Sequence, residues 1–462
     1  MARLLVLATG PLFDRVSRVV SGQSLRTWHF VAPLRGAGHT VRLVTVPIPG
    51  ATREDAPATE QEHEGLSYMA LGVNDPARVL PLVAAEIARF APEALVGINA
   101  WPAFLLALLD RPEPLWADLN GWTMAEGQTR AVVVGHDDDF PHFWRMEALV
   151  ALTAARFSAV TARQADALHG ELAMLGALHR GNAAAPLVDV VPNAVHPDYA
   201  ALTRGGPPPA IPGLAPGARI VLWSGGFNTW TNVDLLVGAM ARAMESDPAI
   251  HLVCTGGAVL GHDESTYRRF ESLSAASLPA GRVHRLGWTD QQTVLALHAT
   301  AAVGINIDGN NVETRFGARN RLTNMLGAGL PVVTTAGTEI ADWIAAGDYG
   351  AVVPAESDAA QLAAAIVAAA AGGPAVEARA ARARAAALDA FAPATTLGGF
   401  LAWASNPAAG APPPAPDTAP GRLRAFWRRE CLAGVPALFH PPAPPAPVWR
   451  RAVRRLRRAT GL

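Results

Sequence analysis

The chain of 462 residues contains no lysine, so its 38 basic side chains are all arginine. Wherever another protein would use a lysine point charge, this one must use a guanidinium fork or a backbone dipole. Cysteine is almost as scarce. Cys254 and Cys431 lie far apart, without CxxC or Cys/His spacing, which argues against a disulfide framework or a structural zinc and fits a reducing cytoplasm. No uninterrupted apolar run reaches the roughly 18 to 20 residues of a membrane span. The opening MARLLVLATGPLF is broken too early by Gly-Pro for a signal peptide, and reads as a first strand. The net charge of −1 gives no global attraction to nucleic acid. No strand runs into GxGxxG: the first turn reads TGPLFDR and the later one SGGFNTW, against a nicotinamide or flavin site.

What is present is ample apolar material, 50% of residues, in an alternating rhythm. RLLVLA, VRLVTVPI, ALVGINA, PLWADLNG and FSAVTA are short apolar strands separated by helical stretches, the pattern of a doubly wound parallel sheet. VDVVPNAVHP turns out of this region, and GGPPPAIPGLAPGA reads as a linker. The rhythm restarts with RIVLWSGG, HLVCTGG, RVHRLGW, AAVGINI, LPVVTT and GAVVPA. The expected organisation is an α/β domain over 1–196, a linker over 197–217, a second α/β domain over 218–372, and a returning helical segment over 373–405. A Pro-rich, extended tether and basic tail should fill 406–462. In that tail Trp449, Ala452, Val453 and Leu456 share one helical face, and six arginines from Arg450 to Arg458 cover the other, which suits an anionic membrane surface. A disordered basic end, or a helix docked on an acidic patch, is the other reading.

The stretch NVETRFGARNRLTNMLGAGLPVVTT concentrates one glutamate and three arginines ahead of an apolar helix that Gly329 and Pro331 terminate. A helix N-terminus flanked by Arg315, Arg319 and Arg321 is a natural phosphate site. If that helix begins at Gly317, Arg319 and Arg321 project in different directions. Arg315 and Arg319 are then expected at the ligand, with Arg321 pairing at the surface. The plainer reading is a solvated helix start with Glu313 pairing to one arginine.

Paired α/β domains, the VPNAV hinge and the Glu-loop-helix-GLPVVTT unit resemble the retaining GT-B glycosyltransferases of the family 4 group, over nearly all of residues 1–405. The GGFNTWTN and ETRFGARNR variants look like a bacterial polysaccharide-type subgroup. The resemblance implies two Rossmann-like domains facing a cleft, a nucleotide-sugar donor on the second, a saccharide or lipid-linked acceptor on the first, and no metal or other cofactor. It implies that Glu313 contacts the donor sugar and that Asn324 stands where a ribose-holding glutamate usually is. Gly225 and Gly226 match the glycine turn at the diphosphate, although Gly226 and Thr231 replace its usual arginine and lysine. Trp288 stands where the base is received, either stacking on it or serving the core. In the first domain Gly22 and Arg26 fall near the donor phosphate, or at a plain helix start. Asn120 replaces a histidine beside the sugar. Asp118, preferred over Glu126, would position or deprotonate the acceptor, though either could simply cap a helix. His136 and His142 flank DDDF and read better as a solvated loop than as metal ligands. The losses also fit a catalytically silent GT-B partner subunit; an epimerase and a membrane-tethering scaffold are further alternatives. A cytoplasmic enzyme, peripheral at the inner face of the plasma membrane, is the expectation.

Overall fold

A computed structural model describes residues 1–12, 21–48, 56–259, 262–409 and 414–433. The first eight strands are β1 (Arg3–Gly10), β2 (Thr40–Pro47), β3 (Ala56–His63), β4 (Leu66–Gly72), β5 (Ala94–Ile98), β6 (Leu115–Leu119), β7 (Arg156–Ala159) and β8 (Val188–Val190). They form one sheet in the order β3-β4-β2-β1-β5-β6-β7-β8, parallel except for the β3–β4 pair. The second sheet comprises β9 (Arg219–Trp223), β10 (Ile250–Thr255), β11 (Val283–Gly287), β12 (Val303–Asn306), β13 (Val332–Thr335) and β14 (Ala351–Val353), in the order β11-β10-β9-β12-β13-β14, with every paired strand parallel. Central strands such as LLVLA and RIVLW are apolar at nearly every position because helices cover both faces, which is why they are readable as continuous runs. In each sheet the winding reverses at its first strand: β1 lies between β2 and β5, and β9 between β10 and β12. Such a reversal leaves a crevice at the carboxyl ends of the strands.

The α/β, two-domain GT-B expectation is met. The β3–β4 hairpin is an addition; β3, APATEQEH, is exposed along most of its length and offers no apolar run to read. Three local expectations are corrected. Residues 197–217 are not a free linker, because Tyr199 and Ile211 are buried in the second domain's core and Tyr199 Oη accepts from Gln291 Nε2 (2.7 Å). Instead of one helix from Gly317, helices span Val312–Phe316 and Asn320–Gly327. Part of the expected tether is the helix Ala419–Ala433, which buries Cys431 and sets Trp427 against Trp144 of the first domain. The Arg450–Arg458 segment lies outside the described residues.

The chain crosses between domains twice, and the crossings touch: Val195 N donates to Phe391 O (3.3 Å). After the second crossing Phe400 and Trp403 pack around Trp116 of the first domain. Away from this hinge the domains also meet directly. Thr161 Oγ1 donates to Phe316 O (2.8 Å), and the Glu339 carboxylate accepts from the backbone N–H groups of Ala162 (3.1 Å) and Arg163 (3.2 Å). Arg163 pairs with Asp342 and donates to Gly337 O (2.8 Å), while Trp122 meets Phe316 edge-on, with ring centroids 4.7 Å apart. The cleft is therefore closed.

Candidate functional site

β9 runs into the turn Ser224, Gly225 and Gly226. Gly225 has φ +96°, and Gly256 in the next loop has φ +79° and lies so near it that an added Cβ would sit 2.5 Å from the Gly225 carbonyl carbon. Only glycine permits both the conformation and the approach. A Cβ on Gly226 would meet Val259 at 2.8 Å and the Trp288 ring at 3.4 Å. Trp288, half-buried, donates Nε1–H to Ala258 O (3.1 Å) and braces this loop.

From the end of β12 comes the charged unit. Asn311 caps the short helix Val312–Phe316 by accepting from Thr314 N (2.9 Å). That cap is a signal in the sequence, and it places Glu313 in a first turn. Glu313 is buried and held by Arg319, whose Nη1 and Nη2 donate to its two oxygens at 3.0 and 2.6 Å. Arg319 Nε reaches Asp308 Oδ2 (2.8 Å), Nη1 also meets Ala318 O (3.2 Å), and the guanidinium lies 5.0 Å from the centre of the Trp230 ring. Burial raises the Glu313 pKa and the facing Arg319 counters it; the two carboxylates hold Arg319 firmly charged despite its burial. Arg319 is thus engaged by acids rather than open to a ligand. Arg315 is exposed, with its guanidinium beside the Phe316 ring.

The surface role expected of Arg321 is overturned. Its guanidinium stacks over buried Trp223 at 4.1 Å, and Nη2 donates to Gly226 O (2.6 Å). Nη1 is buried without a partner, and no carboxylate pairs with Arg321 among the described residues. Burial pulls its pKa down to about 10, with Asp308 opposing and Arg319 adding to the shift. Arg319 is the N-cap, so Arg321 falls in the first turn under the glycine loop and not on the outer face expected for a helix starting at Gly317.

Opposite, Gly22 opens the helix Gly22–Gly36, capped by Ser21, and an added Cβ would lie 2.4 Å from Asn320 Nδ2. The amino ends of two helices from different domains therefore converge beside the glycine turn. Asn320 Oδ1 is buried there without a partner.

Other expected residues turn away from this crevice. Arg26 and Asp118 are fully buried and paired, Nη2 to Oδ1 at 2.6 Å and Nε to Oδ2 at 2.9 Å, with Ser158 donating to Asp118 (2.6 Å). Arg26 also donates to Pro192 O (3.1 Å), tying the first helix to the hinge. Asp118 consequently has no opening to an acceptor. Asn324 is buried, and its Oδ1 accepts from His196 N (3.3 Å), again at the hinge. Asn120 is half-buried at the end of β6 and donates to Asn99 Oδ1 (3.1 Å). His142 leans on Trp101 and Phe143, and among the described residues no group of three His, Cys, Asp or Glu side chains could hold a metal.

Residues 218–371 match the family model described as Glycosyl transferases group 1. Sucrose-phosphate synthase from Thermosynechococcus elongatus superposes with TM-score 0.68 at 15% identity, covering 89% of this chain and 100% of that one. WaaG, a glycosyltransferase involved in lipopolysaccharide biosynthesis, gives TM-score 0.56 at 17% identity over 86% and 98%. Anabaena HepE, solved with UDP and glucose, gives 0.58 at 14% over 88% and 100%. A comparison with curated protein sequences finds no match.

Proposed function

We propose that this chain is a glycosyltransferase that moves a sugar from a nucleotide-sugar, with retention of configuration, to a saccharide or lipid-linked acceptor held by its first domain; residues 218–371 match the group 1 glycosyltransferase model, and the chain has the fold of the solved glycosyltransferases. The observation that carries the donor reading is Arg321. A buried guanidinium without a counter-ion is unfavourable in isolation, and an arriving diphosphate supplies the missing charge. The Gly225–Gly226 backbone and the converging helix ends lie at the same place.

As the glycosidic bond stretches, charge builds on the leaving diphosphate. Arg321 and the helix N–H groups oppose that charge in a closed, water-poor cleft, so stabilisation grows toward the transition state. Exposed Arg315 is the further guanidinium of this loop that can reach an entering phosphate. Glu313, fixed by Arg319, presents an oriented carboxylate edge to the sugar. No metal is invoked, since arginine and backbone provide the positive charge. The proposal extends to a cytoplasmic chain whose Arg450–Arg458 segment rests on anionic lipid; six basic side chains at about 1 kcal/mol each support that reading.

Calorimetric titration with UDP, GDP, dTDP and ADP tests the donor reading. One nucleoside diphosphate should bind, and Arg321→Ala should weaken it about 10- to 150-fold, the worth of one or two charge-assisted contacts, while sparing the bare nucleoside. Equal affinity for wild type and variant overturns the assignment.

A further inference from the structure

The cleft contains one acidic side chain that the pairings above leave out. Asp118, Asp308 and Glu313 are each held by an arginine, and Glu339 caps a helix across the domain boundary. Glu126, on the helix Thr123–Val134 of the first domain, forms no side-chain hydrogen bond or ion pair with any described residue, although that helix packs directly on Val312–Phe316. Its carboxyl lies over Gly121, where an added Cβ would come within 2.5 Å of Glu126 Oε1, and Gly121 has φ +120°. Two independent requirements for glycine thus coincide beneath this carboxyl. Glu126 is half-buried, and its oxygens are not among the fully enclosed atoms left without a partner.

We propose that Glu126 contacts the donor sugar from the first domain, binding a hydroxyl on the side opposite Glu313. The inference rests on the sugar-transfer reading of the same cleft, and adds to it the group that meets the sugar from the other wall. Burial first, and then the Glu313 charge, push the Glu126 carboxyl up to about 8, with Arg319 opposing. Glu147 stands behind it on the packed helix Phe140–Thr153, and Arg130, one turn along its own helix, is engaged by Asp139. Glu126 is therefore protonated at neutral pH and can donate a hydrogen bond to a hydroxyl oxygen while its carbonyl oxygen accepts one. Glu313, engaged with Arg319, acts as acceptor only. The pair recognises a neutral, hydroxyl-bearing sugar. A sugar carboxylate would face Glu313 and Asp308 with Arg319 already engaged, and is disfavoured.

The test compares the free nucleoside diphosphate with its glucose, mannose and glucuronate conjugates by calorimetry, at pH 7 and pH 9, using UDP and GDP. The readout is the affinity a neutral sugar adds to its diphosphate. Glu126→Ala should reduce that increment about tenfold and leave diphosphate binding unchanged; Glu126→Gln, which retains a donor, should preserve it. Raising the pH to 9 should reduce the increment of wild type by up to about tenfold and spare Glu126→Gln, and the glucuronate conjugate should show no increment. Equal increments in wild type and Glu126→Ala, or the same pH loss in Glu126→Gln, overturn the role of Glu126 while leaving the donor site standing. Absence of any diphosphate binding overturns the sugar-transfer reading, and this inference with it.

Discussion

Arg319 and Arg321, two positions apart, show how one residue type takes opposite parts in one loop. Arg319 is structural: removing it leaves Glu313 and Asp308 buried without their cation. Arg319→Ala should therefore cost about 3–5 kcal/mol of stability, read as a lowered urea midpoint. A variant as stable as wild type would mean that the acids find other partners. Titration provides a second residue-scale expectation. Burial lowers His29 and His298 to about 3 and His196 to about 4, so each stays neutral in the folded chain while its unfolded counterpart protonates below about 6.5. Their contribution is complete above 6.5 and falls with pH, by up to about 1.4 kcal/mol per unit for each. Glu126, raised to about 8, and Glu147, raised by burial beside Glu171, have the opposite sign: their contribution is lost as pH climbs above about 4.5. With His39, His142, His251, His262 and His284 also lowered and Glu171 and Glu313 also raised, eight histidines outweigh four carboxyls between about 4.5 and 6.5, so stability should rise with pH there and decline gently from about 6.5 to 8. Thermal midpoints across buffers check it; a continued rise through pH 8 contradicts the raised carboxyls.

At the level of elements, the strands were legible because a buried parallel strand leaves an apolar run whatever its partners. The Gly225–Gly226 turn was legible too, since a positive φ and a backbone approach demand glycine locally. Side-chain direction at the site was not. The pairing of Arg319 depends on Asp308 at the end of another element, and that of Arg26 on Asp118, 92 positions away. The Asn311 cap, which fixes the helix phase, was the overlooked local clue. The helix Ala162–Met174 is a comparable case: Thr161 caps it from within by accepting from Gln164 N (3.0 Å), while Glu339 caps it from the other domain. A carboxylate at a helix amino end is favourable by both hydrogen bonding and dipole. That contact exists only in the closed form. Glu339→Ala should therefore open the cleft, seen as a larger radius of gyration in solution scattering, with little change in the thermal midpoint; an unchanged radius would show that the Arg163–Asp342 pair and the Trp122–Phe316 contact suffice.

On the scale of the whole molecule, truncation separates the folding role of the helix after Trp403 from the lipid contact proposed for the arginine-rich end. The helix Ala419–Ala433 belongs to the first domain's fold: Cys431 is fully buried, Trp427 packs on Trp144, Arg428 pairs with Asp110 (2.6 Å) and Arg424 donates to Leu152 O. Deleting 414–462 exposes the surface it covers and should lower the thermal midpoint by several degrees, as the loss of a few kcal/mol does in a chain of this class. Deleting only 434–462 removes the six clustered arginines and none of those contacts. That shorter truncation should keep the midpoint and nucleoside-diphosphate affinity of the full chain, while losing sedimentation with vesicles containing phosphatidylserine. Raising salt from 0.1 to 0.5 M, concentrations roughly spanning a Debye length of 10 Å down to under 5 Å, should reproduce the loss in the intact protein, because exposed charges hold lipid only across such distances. If the shorter truncation still sediments with the vesicles, lipid binding belongs to the folded body, and the exposed Leu423, Phe426 and Arg429 of the docked helix become the surface to change.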